Sequence, residues 1–282
     1  MIANQTLILL EDTVQLSHPV IQAVCCMLGP ATVHKFATEG DMQGFTRILL
    51  VAPPDAGKLL FNFILGHLPQ MALQPVGLIN LSQTPTEPAW LPDAVALLGC
   101  SGQNAASIPA DDGIGAVIEY CLSFRMKDHR TSDEVDEDEL KTAIESFLQT
   151  HNTCTLATCY HDQARATTLE YRYRDGHITC VSEGGEKFAG LLRGGQVSIV
   201  VHEPYRGKDY LAGLQLFGRA RVLVDGSEKY WKLMQAWDIT PEMMDSFPCR
   251  LHGIDIHLQE AIFLLSGFKE KGFGIRQVYR FL

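Results

Sequence analysis

The stretch of this chain with the most chemical content is Ser182-Glu183-Gly184-Gly185-Glu186-Lys187. A hydroxyl, two glycines, free backbone N–H groups and a lysine at a helix start can hold a phosphate. The same residues also read as a capped helix with an exposed lysine, and spacing alone favours that plainer account. Asp255 and His257 share one strand face and offer two metal ligands, but a metal site needs a third, so no metal is assigned. Ala56-Gly57-Lys58 lacks the first glycine of a P-loop and has Leu59 where Ser or Thr is required, so it is rejected. Gly99-Cys100-Ser101-Gly102 lies where α/β sheets place ligands, yet its residues are those of a plain turn. No residue pattern names a catalytic acid or base.

The elements that must position this loop run from 151 to 202. They read as strand, strand, strand, short helix, strand: 151 to 160, 165 to 174, 178 to 182, 183 to 193 and 197 to 202. Asp175-Gly176 between two strand-like runs is a strong hairpin signal. The run Tyr210 to Val224 is expected to be one long strand. On it Gln215, Phe217 and Arg219 share one face, and Leu214, Leu216 and Gly218 the other. Ser227 and Thr240 start two helices, and Ile254 to Ser266 and Ile275 to Phe281 supply closing strands. Several antiparallel strands with few helices suggest a small barrel.

The 282 residues carry a net charge of −10, unevenly spread. Residues 1 to 125 hold 4 basic and 10 acidic residues, 126 to 139 hold 2 and 7, and 140 to 282 hold 17 and 16. A nucleic-acid surface needs a basic excess, which is absent, so no nucleic-acid partner is expected. No apolar run reaches a membrane span and no secretory signal opens the chain, so no membrane partner is expected and a cytoplasmic location is. The eight cysteines form no C-x-x-C pair and read as reduced thiols.

The first half alternates apolar strands with helices. Strands are expected at Thr6 to Leu10, Phe45 to Ala52, Pro75 to Leu81 and Ala94 to Gly99. Helices are expected from the Ser17 cap to Leu28, from Ala56 to His67, and from Ile114 to Phe124, the last started by Asp111 or Asp112. The polar, acidic run 126–139 reads as a linker, with Asp136 or Asp138 then starting a helix whose Leu140, Ile144, Phe147 and Leu148 share a face. The reading is therefore an α/β domain at 1–125, a linker at 126–139 and a mainly β domain at 140–282.

The order and lengths of the first half resemble a flavodoxin-like domain, and Ile48 to Leu81 looks most like the flavodoxin-type protoporphyrinogen oxidases. A flavodoxin holds the FMN phosphate in a Ser/Thr/Gly-rich loop after its first strand. Here that loop is Glu11-Asp12-Thr13-Val14-Gln15-Leu16-Ser17, whose two carboxylates repel a phosphate, so this domain is expected to carry no cofactor.

The second half resembles the pyridoxamine 5′-phosphate oxidase-like FMN-binding split barrels. The pieces that carry the resemblance are Thr153 to Thr158, Arg165 to Tyr171, Asp175 to Ser182, the loop ending in Lys187, Leu191 to Val201 and Leu214 to Leu223. The resemblance implies FMN bound at a homodimer interface, and an FMN-dependent oxidoreductase whose substrate it does not name. It implies that Arg165 and Lys187 grip the phosphate and that Thr167, Thr168, Val181 and Ser182 border the flavin and its tail. Gln215 stands two residues from a family glutamine that touches the ring, on the same strand face. Glu170 and Glu186 replace a family lysine and arginine. One carboxylate 4 Å from a phosphate charge costs about 4 kcal/mol at an effective dielectric of about 20. A related split-barrel branch binds and degrades haem, and Gly272-Phe273-Gly274 is similar to a segment of its chains. In that alternative His252 or His257 is the candidate axial ligand. A second alternative is a flavin-binding module without chemistry.

Overall fold

In the computed structural model, the described residues are 6–37, 42, 45–71, 75–82, 88–99, 105–109, 113–125, 134–193 and 195–281. The chain divides into two compact units, 1–131 and 132–282.

The N-terminal unit is built on five parallel strands: β1 (Thr6–Leu10), β2 (Ala31–Lys35), β3 (Arg47–Ala52), β4 (Val76–Ser82) and β5 (Ala105–Pro109), in the order β2-β1-β3-β4-β5. Helices α1 (Pro19–Leu28) and α4 (Gly113–Arg125) cover one face, and α2 (Gly57–Met71) and α3 (Leu91–Leu98) the other. The central strands β1 and β3 are nearly all apolar because both faces are covered: Ile8 and Leu10 pack under α1, Leu7 and Leu9 on the opposite side.

Several expectations need correction. Ala94 to Gly99 is not a strand. Ala-Val-Ala-Leu-Leu suits a buried strand or a helix equally, and Pro92 and Asp93 in the first turn with a left-handed Gly99 at the end make it α3. β2 and β5 both lie outside the expected strands. The cap of α1 is His18 rather than Ser17: the His18 imidazole accepts from the Val20 N–H. Asp111, Asp112, residues 100–102 and the linker residues 126–133 lie outside the described residues.

The loop after β1 is occupied by its own side chains. Buried Glu11 accepts from the Thr13 N–H and hydroxyl, Asp12 accepts from the Ala37 N–H, and the Lys35 ammonium donates to the carbonyls of Glu11, Asp12 and Val14.

The C-terminal unit opens with α5 (Glu137–Thr150), capped by Asp136, which accepts from the N–H groups of Asp138 and Glu139. Residues 137–139 of the acidic run thus form the first turn of this helix, where negative charge favours the dipole. Leu140, Ile144 and Leu148 bury one stripe, each worth about 1.5–3 kcal/mol of hydrophobic transfer.

The sheet that follows contains β6 (Thr153–Tyr160), β7 (Gln163–Glu170), β8 (Arg172–Arg174), β9 (His177–Ser182), β10 (Gln196–His202), β11 (Ala212–Val222), β12 (His252–Leu265) and β13 (Arg276–Arg280). The order is β7-β6-β10-β11-β12-β9-β8, with β13 also pairing β12, and every pairing is antiparallel. Leu156 near one end and Ile178 near the other share a single apolar core, so the sheet curls around it as half a barrel. Helices α6 (Lys187–Arg193), α7 (Glu228–Ala236), α8 (Pro241–Ser246) and α9 (Gly267–Glu270) complete the unit, with Ser227 and Thr240 as the caps of α7 and α8.

The run 165–174 is two strands, not one. Tyr171 between them turns into the core, fully buried, and its hydroxyl donates to the Leu148 carbonyl of α5 at 2.9 Å. The Asp175-Gly176 hairpin forms as its residues dictate: Arg174 pairs with His177, and both turn residues have positive φ. The expected strand start at Tyr210 falls in a 3₁₀ turn, Lys208–Tyr210, which follows Gly207 at φ 126°.

Candidate functional site

Two strands and one helix converge on the loop 182–187. Hydrogen bonding to β12 aims β9 so that Ser182 lies opposite His252. Within the loop the Gly184 N–H donates to the Ser182 hydroxyl at 3.3 Å, and the Lys187 ammonium donates to the Gly184 carbonyl. Gly184 and Gly185 have φ of 125° and 106°, conformations that side chains rarely adopt, and a Cβ at Gly184 would meet nothing within 4 Å. The loop therefore has open space over Gly184, whereas a Cβ on Gly185 would lie 3.6 Å from the Lys187 ammonium.

Helix α6 is held against β6 at close range. A Cβ on Gly190 would lie 2.8 Å from the Cys159 carbonyl oxygen, so only glycine fits there. This seats Lys187, which is buried, with its ammonium 5.3 Å from the Phe188 ring. Burial pushes its pKa below the ordinary lysine value, because few groups there solvate the charge. Next to it lies Cys180. Its pKa is raised by a hydrogen bond to Cys154 and by burial, so this thiol keeps its proton.

Arg165 reaches the same loop from β7. Its guanidinium is ion-paired with the Glu186 carboxylate, and both side chains are more than half exposed. Glu170 lies elsewhere. Arg165 and Thr167 stand opposite Thr158 and Leu156 on the core side of the sheet, whereas Thr168 and Glu170 stand opposite Thr155 and Thr153 on the outer side. Of the two acids, Glu170 faces away and Glu186 is the partner of Arg165.

The seven residues singled out from the sequence thus fall into separate groups. Arg165, Thr167, Ser182 and Lys187 belong to the core side, three of them at the loop. Val181 turns outward and packs with Tyr230, Leu233 and Met234. Thr168 and Gln215 share the outer face and one lateral row, Thr168–Thr155–Val200–Gln215. Three strand spacings, about 14 Å, separate them.

The histidines are placed as follows. His252 is half-buried, with Nδ1 3.7 Å from Asp225 and its ring edge-on to Phe188. His257 is exposed and lies opposite His177, ring centres 5.0 Å apart, and Asp255 bonds His177 at 2.9 Å. Among the described residues no three His, Cys, Asp or Glu side chains are grouped to hold a metal ion. No described helix is long and apolar enough to cross a membrane.

Sequence reasoning missed a cavity on the outer face, lined in part by His202, Tyr205, Tyr210, Gln215 and Arg276. Its residues come from the strands β10 to β13 and one loop. The available signal was two tyrosines either side of Arg206-Gly207: Tyr205, which reads as part of a turn, and Tyr210, which reads as the start of the long strand.

A family model described as pyridoxamine 5′-phosphate oxidase matches residues 140–257. The resemblance carried by the second half of the sequence is thereby shown. No curated protein matches the chain. Among solved structures, an FAD-binding protein from Mesorhizobium loti is 20% identical over 43% of this chain and 90% of its own, with a TM-score of 0.36. The haem storage protein HutZ from Vibrio cholerae is 17% identical over 43% and 90%, with a TM-score of 0.36. A Clostridium acetobutylicum protein related to general stress protein 26, of the pyridoxinephosphate oxidase family, is 11% identical over 52% and 96%, with a TM-score of 0.38.

Proposed function

We propose that the C-terminal unit binds FMN, with the phosphate over Gly184 and Gly185, and serves as a flavin-dependent oxidoreductase. The observation that carries this reading is the convergence of Arg165 and the buried Lys187 on one glycine loop from positions 22 residues apart in sequence. The buried Lys187 ammonium, which donates to the Gly184 carbonyl, gains from an arriving dianion. Arg165 exchanges Glu186 for phosphate, Lys187 swings from the Gly184 carbonyl, and Ser182 hydrogen-bonds an oxygen. Bound flavin supplies the electron transfer; the chain supplies grip and orientation. In this reading the N-terminal unit is a flavodoxin-like domain without cofactor, supported by its strand order and its carboxylate-filled loop.

The split of the seven residues between two faces supports a homodimer. Thr168 and Gln215 stand on the face of the sheet opposite to Arg165 and Thr167, so in this reading they serve a flavin gripped by a second copy.

Purified protein with added FMN should show the flavin band at about 450 nm, shifted on binding, with quenched flavin fluorescence. An unchanged free-flavin spectrum refutes the reading. If added haem instead gives a Soret band that is lost in H252A or H257A, the haem alternative replaces it. If FMN binds but no donor reduces it, the unit is a flavin-binding module without turnover.

A further inference from the structure

Two thiols meet inside the barrel where its sheet closes. The strand order leaves β7 and β8 at the two ends, and Tyr171 joins them in sequence. The Tyr171 N–H donates to the Asn152 carbonyl at 2.8 Å, one step beyond the Thr153–Glu170 pair. On its other side Tyr171 lies one step beyond the Arg172–Thr179 pair, which sets it beside Cys180. Its buried ring therefore has Cys154 of β6 near it on one side and Cys180 of β9 on the other. Both cysteines point inward, in alternation with Leu156 and Ile178, and are 2% and 0% exposed.

The two stand 26 positions apart in sequence, each on the second strand from an end of the sheet, yet Cys180 hydrogen-bonds Cys154. That bond holds the Cys154 pKa below the ordinary thiol value, while Cys180, the buried donor, keeps its proton. The charge of the Lys187 ammonium also acts on Cys180 and opposes the rise there. A thiol that ionises, a second thiol in contact with it and a cation nearby are the parts of a reactive dithiol, not of two inert core cysteines.

We propose that Cys154 and Cys180 form a disulfide on exposure to hydrogen peroxide, with Lys187 as the cation that favours the attacking thiolate. The oxidant must be small and uncharged, because neither sulfur reaches the surface. A disulfide brings its sulfurs to about 2 Å, a short approach for side chains already in contact. The Cys154 thiolate attacks one peroxide oxygen: an S–O bond forms, the O–O bond breaks, and hydroxide leaves and takes up the proton that Cys154 gave. The Cys180 sulfur then attacks the Cys154 sulfur: the S–S bond forms, the S–O bond breaks, and the oxygen leaves as water with the Cys180 proton. Two thiols lose two electrons, one peroxide gains them, and two waters result. In a reducing compartment such a bond is transient and reports oxidation. While it lasts it ties β6 to β9, the strand that aligns Ser182. No step uses flavin, so the proposal stands apart from the reading above.

The test treats the reduced full chain with peroxide, quenches it with iodoacetamide in denaturant and maps its peptides by mass spectrometry without reductant. The expected product is a Cys154–Cys180 linked peptide pair, two hydrogens lighter than the reduced pair and released by dithiothreitol. In C180S, where the second step is blocked, dimedone should label Cys154 as its sulfenic acid. K187M should slow linkage about tenfold. Exposed Cys159 is the internal control. Recovery of Cys154 and Cys180 as free thiols at a peroxide dose that oxidises Cys159 would overturn the proposal. So would linkage of either to another cysteine, or linkage that forms only in denaturant. An unchanged rate in K187M would refute the part given to Lys187. The assay contains no FMN, so a failure of flavin binding leaves its result untouched and the two readings fail separately.

Discussion

Arg165 and Glu186 form an ion pair that ties the edge strand β7 to the loop before α6. The pair is exposed, so its own contribution to stability is about 0–1 kcal/mol. Its effect on ligands is larger, because a phosphate must displace the carboxylate. E186Q should leave thermal stability within about 0.5 kcal/mol of wild type and tighten FMN binding several-fold. Flavin fluorescence titration measures this; weaker binding in E186Q would show that Glu186 helps to hold the ligand.

Lys187 makes the complementary prediction. Its folded pKa is depressed below 10.5, so between the depressed value and 10.5 the unfolded chain binds more protons than the folded one. Stability from this group therefore rises with pH across that window and is lost as pH falls through the folded pKa. In K187M this component disappears. Urea midpoints of wild type and variant, compared from about pH 8 upward, should converge as pH rises. FMN affinity in K187M should fall at least tenfold, and riboflavin affinity should change little.

Gly190 links packing to the site. An added methyl meets the Cys159 carbonyl oxygen at 2.8 Å and the Thr158 Cβ at 3.0 Å, both on β6. G190A should push α6 off the sheet, cost about 1–3 kcal/mol and weaken FMN binding by misplacing Lys187. Chemical denaturation and flavin titration of one preparation test both effects together.

Tyr171 sets the break between β7 and β8. Y171F leaves the Leu148 carbonyl without its buried donor and should cost about 1–3 kcal/mol. Denaturant midpoints measure it. A neutral substitution would mean that the ring alone makes the break.

Local signals in the sequence translated well into structure. Asp175-Gly176, Ser227 and Thr240 each dictate a turn or cap through their own backbone chemistry, and the strand pattern from Leu214 to Arg219 came out with the faces expected. Signals that depend on neighbours did not. Ala94 to Leu98 is apolar in either conformation, and β2, Ala-Thr-Val-His-Lys, is a half-buried edge with no apolar run to mark it. At the site, the residue types pointed to the glycine loop and its lysine. The pairing of Arg165 with Glu186 and the cavity over Gly213 depend on which strands lie side by side, and that is fixed only when the sheet closes.

Strand β12 carries two partners in succession along one edge. Its first half bonds β9 and its second half β13, while β11 flanks it throughout. Its amides should therefore be the slowest in the unit to exchange with deuterium, and those of β7 and β8, at the two ends of the sheet, the fastest. Arg165 sits on one of those quick-opening margins, so its strand can breathe to admit a ligand without loosening the spine on which Ser182 is aligned.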